Sequence, residues 1–261
     1  MKPEDSTRTA RANKQRLDTL LVARGLTPSR ERAQALILAG RVLVDEQKVE
    51  KPGHAVAESA AVRLLGGDLR YVSRGGLKLE AALRHWEIDL TGKFCLDVGA
   101  STGGFTDCML QHGAARVLAV DTGYGQIAES LRRDPRVALM ERTNARKLTR
   151  GDLPAEIQFV AEDVSFISST LVLPAVVAAI GARAPLEVVT LVKPQFEAGR
   201  ASVGKGGIVR DPQAHERAIE RVRECVLGLG GGGIEVIDSP ILGAEGNREF
   251  LLLAVLDRPL R

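Results

Sequence analysis

Four ionisable side chains stand where they could act together on one ligand. Asp163 follows an apolar run (Val160-Ala-Glu-Asp163), and Lys193 ends another (Thr190-Leu-Val-Lys193). Glu249 opens a third run (Glu249-Phe-Leu-Leu-Leu), and Lys78 lies in a helical stretch ahead of all three. Pro194 stops the run just after Lys193, which makes that lysine a strand end. Two amines and two carboxylates at one edge of a sheet can orient a polar substrate group, exchange a proton with it and balance charge. Structural ion pairs at strand ends are the alternative reading.

A glycine-rich turn, Asp97-Val-Gly-Ala-Ser-Thr-Gly-Gly104, follows the first apolar run. Gly99, Gly103 and Gly104 let the backbone turn tightly and approach a ligand closely. Three readings compete. A dinucleotide loop wants GxGxxG, but Ser101 holds the second glycine position. Gly99 to Gly103 matches GxSxG, the nucleophile elbow of hydrolases. That chemistry needs a late histidine, and only His215, inside a charged helical stretch, is available. The third reading is S-adenosylmethionine, bound along Asp97, Gly99, Ala100, Ser101, Gly103 and Gly104. Asp121 ends the next apolar run, 22 residues after Gly99, where a carboxylate accepts bonds from two ribose hydroxyls. A dinucleotide enzyme would show the same acid.

The elements that must position these residues alternate. Strands are expected at 94–98, 116–120, 137–140, 157–161 and 188–192, and helices at 77–86, 103–111, 126–133, 167–180 and 215–227. Two more strands, 234–237 and 249–256, close the chain. Alternating β and α predicts an α/β domain with a doubly wound, mostly parallel sheet. Ligands of such sheets lie beyond the carboxyl ends of the strands. If the last strand is antiparallel, Glu249 joins that same edge.

The N-terminal part reads differently. Leu17, Leu20 and Leu21 form an apolar stripe that ends at Gly25, and Ala33, Leu36 and Ile37 form a second one behind a Ser29 cap. Short strands follow at 42–44 and 62–65. Residues 1–75 carry 14 Lys and Arg against 9 Asp and Glu, while the remainder carries 22 against 24. The basic surplus of this +3 chain therefore lies in its first quarter, as expected of a polyanion-binding appendage.

Composition limits the alternatives. With 261 residues, 44% hydrophobic and 26% charged, the chain is an ordinary globular one, and its 3% aromatic content leaves the core to aliphatic side chains. Cys95, Cys108 and Cys225 form no CxxC pair, so neither a disulfide framework nor a metal site is expected. The polar N-terminus shows no signal peptide, and a cytoplasmic location is expected. Residues 164–182 carry no charge. Their Ser, Thr and Pro residues favour a buried helix over a membrane span. The expected organisation is a disordered tail at 1–13, a small α+β module at 14–66, a linker at 67–76 and the α/β domain at 77–261. The loop 196–212, with four glycines and with Arg200, Lys205 and Arg210, is read as a mobile flap that contacts a polyanion, or else as a disordered surface loop.

The stretch RLDTLLVARGLTPSRERAQALILAGRVLVDEQKV resembles the S4 RNA-binding domain in its opening Arg-Leu-Asp, its Ser-Arg-x-x-Ala turn and its Gly-x-Val-x-Val strand. That resemblance implies RNA-backbone contacts by Lys14, Arg16, Arg30, Arg32 and Arg41. The order Lys78, Asp163, Lys193, Glu249 resembles the RrmJ/FtsJ-type ribose 2′-O-methyltransferases. With the S4 module in front, residues 15–257 resemble the TlyA (haemolysin A) family of rRNA methyltransferases. The resemblance implies S-adenosyl-L-methionine as cofactor, ribosomal RNA or ribosomal subunits as partner, and an adenine contact by Asn144, which could equally be a plain loop residue. It suggests a Trp where this chain carries Tyr71. That ring, between Arg70 and Arg74, could stack on RNA, as Arg74 could hold it, or anchor the domains.

The implied reaction is an in-line displacement at a sulfonium-bound methyl. A lysine with a reference pKa of about 10.4 is a poor base at neutral pH. A second cation ~5 Å away disfavours an ammonium by about 3 kcal/mol at an effective dielectric near 20. The sulfonium and Lys78 act in that direction on Lys193, while Asp163 and Glu249 oppose it. Lys193 is taken as the base and Lys78 as the residue that positions the hydroxyl. Three rival functions remain at this point: a membrane-active haemolysin, a catalytically inactive RNA-binding protein and a hydrolase built on the Gly99–Gly103 elbow.

Overall fold

The structure is a computed structural model that describes residues 14–27, 29–65, 70–181, 185–243 and 246–256. The expected tail and part of the expected linker lie outside the described residues. The chain divides into two compact units, Met1–Leu69 and Arg70–Arg261.

The first unit runs β1 (Lys14–Arg16), α1 (Leu17–Ala23), α2 (Arg30–Leu38), β2 (Val42–Val44), β3 (Gln47–Lys48), β4 (Ala55–Ala57) and β5 (Val62–Leu64). The two helical stripes meet, burying Leu17, Leu20, Leu21, Ala33, Leu36 and Ile37 against Val42. Ser29 caps α2 by accepting the Arg32 N–H at 3.2 Å. Strand β2 is the middle of an antiparallel β3-β2-β5 sheet, and β1 pairs with β4. Sequence periodicity does not reveal the β1–β4 pair, because three residues are too few to show an alternation.

The second unit runs α3 (Gly75–His85), β6 (Phe94–Val98), α4 (Gly104–Gln111), β7 (Arg116–Val120), α5 (Glu129–Arg132), β8 (Val137–Met140), β9 (Phe159–Glu162), α6 (Ser169–Ile180), β10 (Leu186–Val192), α7 (Pro194–Glu197), α8 (Pro212–Gly228), β11 (Gly231–Asp238) and β12 (Phe250–Leu256). The sheet order is β11-β12-β10-β9-β6-β7-β8. Strands β10, β9, β6, β7 and β8 are parallel, and β12 is antiparallel to both neighbours. This is the doubly wound, mostly parallel sheet that the β/α alternation predicts, and its last strand is antiparallel. Strand side chains alternate between two layers: Leu118, Val120, Leu252 and Ala254 pack with α6 and α8, and Val117, Ala119, Leu251 and Leu253 pack with α3 and α4.

The uncharged stretch at 164–182 contains α6, whose Val172, Leu173, Val176 and Val177 are buried. Pro174 lies inside this helix and has no N–H for the Thr170 carbonyl. The Cys225 thiol reaches that carbonyl instead, at 3.8 Å. Among the described residues no helix is long and apolar enough to cross a membrane. The loop 196–212 is more ordered than a loose flap. It holds the end of α7 and 3₁₀ turns at Arg200–Ser202 and Lys205–Gly207. Asn247 pins it, accepting the Val209 N–H at 3.0 Å and donating to the Gly207 carbonyl at 2.9 Å. The glycine content marks turns here, and a partner distant in sequence fixes them.

Candidate active site

Strand register brings the chemistry to one edge. Parallel pairing sets Val98 beside Glu162, so Gly99 and Asp163 leave their strands together. Antiparallel pairing sets Val192 opposite Phe250, which places Lys193 and Glu249 one residue beyond a matched pair. Gly99 has φ +87°, and a Cβ there would lie 2.5 Å from the Asp163 carbonyl oxygen. The close approach of these two loops therefore requires glycine.

The four ionisable residues form two ion pairs. Lys78 Nζ donates to Glu249 Oε2 at 2.6 Å, with the side chains 8% and 2% exposed. Lys193 Nζ lies 2.5 Å from Asp163 Oδ1 and donates to Ser165 Oγ at 2.8 Å. A Cβ at Gly243 would overlap the Glu249 carboxylate, so the loop beside it also needs glycine. All four side chains line one cavity of about 480 Å³, with Arg74, Ser165, Phe166 and Phe196 on its walls.

A second cavity, also about 480 Å³, shares Gly99, Ser101, Asp163, Ser165 and Phe166 with the first. Its floor and far wall hold Asp121, Thr122, Gln126, Asn144, Ile167 and Val172. Asp121 accepts the Ser101 N–H at 2.7 Å and the Gly123 N–H at 2.6 Å. The first bond supports Ser101 at φ +49°, a conformation that costs a non-glycine residue about 1–3 kcal/mol. Apolar side chains on one wall and a carboxylate with spare lone pairs on another suit a nucleoside, with its flat base and vicinal hydroxyls. The residues present thus fit the adenosine half of S-adenosylmethionine.

Buried acids support the strand ends from below. Asp97 is fully buried and accepts the Thr106 hydroxyl at 2.5 Å, and burial pushes its carboxyl up to about 7. Glu162 accepts the Thr190 hydroxyl, and burial likewise raises it to about 7. Glu197 accepts Ser168 Oγ at 2.5 Å and the Ser169 N–H at 2.7 Å, tying α7 to the start of α6. Burial raises its carboxyl as well.

Several expected residues fall elsewhere. Tyr71 is 1% exposed, in the α3–α4 layer, with its ring where a Gly76 Cβ would be. It cannot stack on RNA, and the apolar body of the ring decides this by seeking the core. Asp97 lines neither cavity and instead holds Thr106, in the first turn of α4. Gly103 faces Ile127 and Leu131, and its role is to open α4 at φ +94°. Asn144 lines the second cavity and accepts the Arg146 N–H at 3.1 Å. His215 donates from Nε2 to the Val209 carbonyl at 2.9 Å and lines neither cavity, which removes the elbow's base. Arg200 and Arg146 line a shallower groove with Phe166 and Phe196. Lys205 is exposed, as are Lys14, Arg16 and Arg30, while Arg32 and Arg41 are half-buried and Arg41 donates to the Leu65 carbonyl.

Sequence reasoning missed Ser165, Phe166, Phe196 and Asn247. Phe166 is 92% exposed at φ +65°, with its ring 5.4 Å from that of Phe196. Its signal was present: an aromatic residue three positions past a strand-end acid has no core to enter. Asn247 left no comparable trace, because its partners lie some forty residues away.

Comparison with known proteins agrees with this fold. Residues 71–255 match the model of the FtsJ-like methyltransferases, and residues 15–62 match the S4 domain. The 16S/23S rRNA (cytidine-2′-O)-methyltransferase TlyA of Mycobacterium tuberculosis is 46% identical over 92% of this chain and 90% of its own. Hemolysin A of Brachyspira hyodysenteriae is 42% identical over 90% of this chain and 98% of its own. A solved structure from Streptococcus thermophilus, provisionally described as a hemolysin, superposes with a TM-score of 0.72 at 42% identity. It covers 94% of this chain and 90% of that one.

Proposed function

The chain belongs to the FtsJ-like methyltransferase family and carries an S4 domain ahead of that region, and from this premise we propose that it methylates ribosomal RNA on a ribose 2′-hydroxyl. One observation carries the proposal: the two ion pairs line a cavity that shares a wall with the nucleoside-shaped cavity beside Asp121. S-adenosylmethionine, when bound, supplies a methyl group activated on a sulfonium. Asp121 would hold its ribose hydroxyls, and the Gly99–Ser101 turn and Asn144 would border the rest.

Lys193, once it has released its own proton to solvent, takes the proton of the 2′-hydroxyl. The ammonium so formed is the cation that Asp163 already stands 2.5 Å from, so positive charge develops beside a fixed carboxylate. Ser165 fixes the direction of Nζ. Glu249 holds Lys78, which positions the hydroxyl oxygen in line with the methyl group. Phe166 and Phe196 offer a stacking surface for the target base. Arg74, Arg200 and Lys205 would meet the RNA backbone around the cavity, and residues 14–66 would dock RNA through Lys14, Arg16, Arg30, Arg32 and Arg41.

The test is transfer of tritiated methyl from S-adenosylmethionine to ribosomal RNA and to ribosomal subunits, followed by mapping of 2′-O-methyl positions. Wild type should label at least one substrate. Lys193→Ala should lower the rate by about 10²–10⁴-fold with cofactor affinity kept. A wild type that labels nothing overturns the function, and equal labelling by Lys193→Ala overturns the site.

A further inference from the structure

The first unit contains a buried charge that no RNA contact requires. Asp18 lies in the first turn of α1 and is fully buried. Its Oδ1 accepts Arg16 Nε at 3.0 Å and the Thr19 N–H at 2.9 Å. Its Oδ2 accepts Arg16 Nη2 at 2.8 Å, Arg30 Nε at 3.0 Å and Gln34 Nε2 at 3.0 Å. One carboxylate thus gathers a guanidinium from β1 and another from the start of α2. The bidentate Arg16 fork, with Gln34 and Arg30 beside it, holds the acid well below the usual carboxylate range.

The two guanidinium groups remain half exposed, at 50% and 53%. Arg30 spends only Nε on the carboxylate, so both of its terminal nitrogens keep donors without a protein partner among the described residues. Arg16 Nη1 lies against Gly53, where a Cβ would come within 2.9 Å. The loop before β4 is itself tied down, because its Pro52 carbonyl accepts the Asp18 N–H at 3.1 Å. The cluster therefore carries a net charge of one positive unit, with two planar forks held in fixed directions and donors still to offer. A phosphodiester matches that arrangement, since its two free oxygens accept forked N–H pairs.

We infer that Asp18 is a positioning residue for RNA, an acid that aims Arg16 and Arg30 at backbone phosphate. This rests on the rRNA reading above and deepens it. Fixing the forks before binding removes rotamer entropy that free arginines would lose on binding. Asp18 thereby improves the capture of an anion although it is itself negative.

That sign makes the test sharp. Asp18→Asn keeps the shape and raises the net charge by one. If bulk charge governs, the variant binds RNA more tightly; if positioning governs, it binds more weakly. The experiment measures binding of the full chain to transcribed ribosomal RNA over a range of salt, together with steady-state methylation and S-adenosylmethionine affinity. We expect about a tenfold loss of RNA affinity and a log–log salt slope shallower by roughly one phosphate's share, ~0.7–0.9. KM for RNA should rise, with kcat and cofactor affinity unchanged. Equal or tighter binding by Asp18→Asn overturns the inference. Should that variant fold poorly, the Arg16→Lys/Arg30→Lys double variant keeps both charges and loses both forks. It should show the same loss, and unchanged affinity overturns the inference. Failure of the rRNA reading looks different: wild type and variants would all bind rRNA weakly and transfer no methyl group, which overturns this inference too.

Discussion

Replacing Glu249 by Met strands the ammonium of Lys78. The pair meets at 2.6 Å with side chains 8% and 2% exposed, so each charge depends on the other for what water would otherwise supply. Breaking such a buried pair from one side costs about 3–5 kcal/mol. Lys78→Met leaves the carboxylate unpaired at a similar cost. The double variant removes the attraction and both desolvation penalties together, so it should lie within about 1–2 kcal/mol of wild type. In a unit of this size 1 kcal/mol moves the midpoint by about 2–4 °C, so each single variant should melt roughly 6–20 °C lower. Trp86 is the only tryptophan and caps α3, the helix that carries Lys78. Its fluorescence therefore follows the unfolding of this unit. All three variants should lose methyl transfer, which separates the stability of the pair from its role in the reaction. If the double variant loses as much as the two singles added together, the residues do not interact as a buried pair, and the reasoning about the site fails.

Other outcomes follow from buried groups. Tyr71→Ala should destabilise the second unit by about 3–5 kcal/mol and leave the RNA affinity of the folded protein unchanged; a selective loss of RNA binding would restore a stacking role. Glu162 is held up at about 7 by burial, against an ordinary 4.5. The unfolded chain gives up that proton at lower pH than the folded one. The contribution is therefore fully present below pH ~4.5 and is lost as pH rises through 7, about 3 kcal/mol in all. Urea unfolding of Glu162→Gln and wild type at pH 4.5 and 8 should show the difference moving in the variant's favour by that amount, and parallel profiles would contradict it.

Local pattern carried far in this chain. The strands at 94–98, 116–120 and 137–140 match their observed spans, because short apolar runs bounded by turns leave few other solutions. The stripes of α1 and α2 are as plain, and the glycine-rich turn announces a close approach before its partner is known. Tyr71 shows the limit of such reading. Two flanking arginines make it look like an RNA contact, yet burial of the ring outweighs its neighbours in sequence. The loop 196–212 shows the same limit from the other side, since glycine content reports backbone freedom and not whether Asn247 removes it.

The order of the elements, their two periodicities and the placing of acids and amines at strand ends are properties of neighbouring residues, and the chain states them by itself. Which amine meets which carboxylate is not such a property. Lys78 finds Glu249 across 171 positions because β12 inserts antiparallel between β10 and β11, and Asp18 becomes the hub of two arginines because α1 and α2 close on a shared core. Those pairings depend on the register and order of whole strands and helices. That order is set by burying both faces of the sheet at once, a sum over the whole unit to which no single stretch of sequence has access.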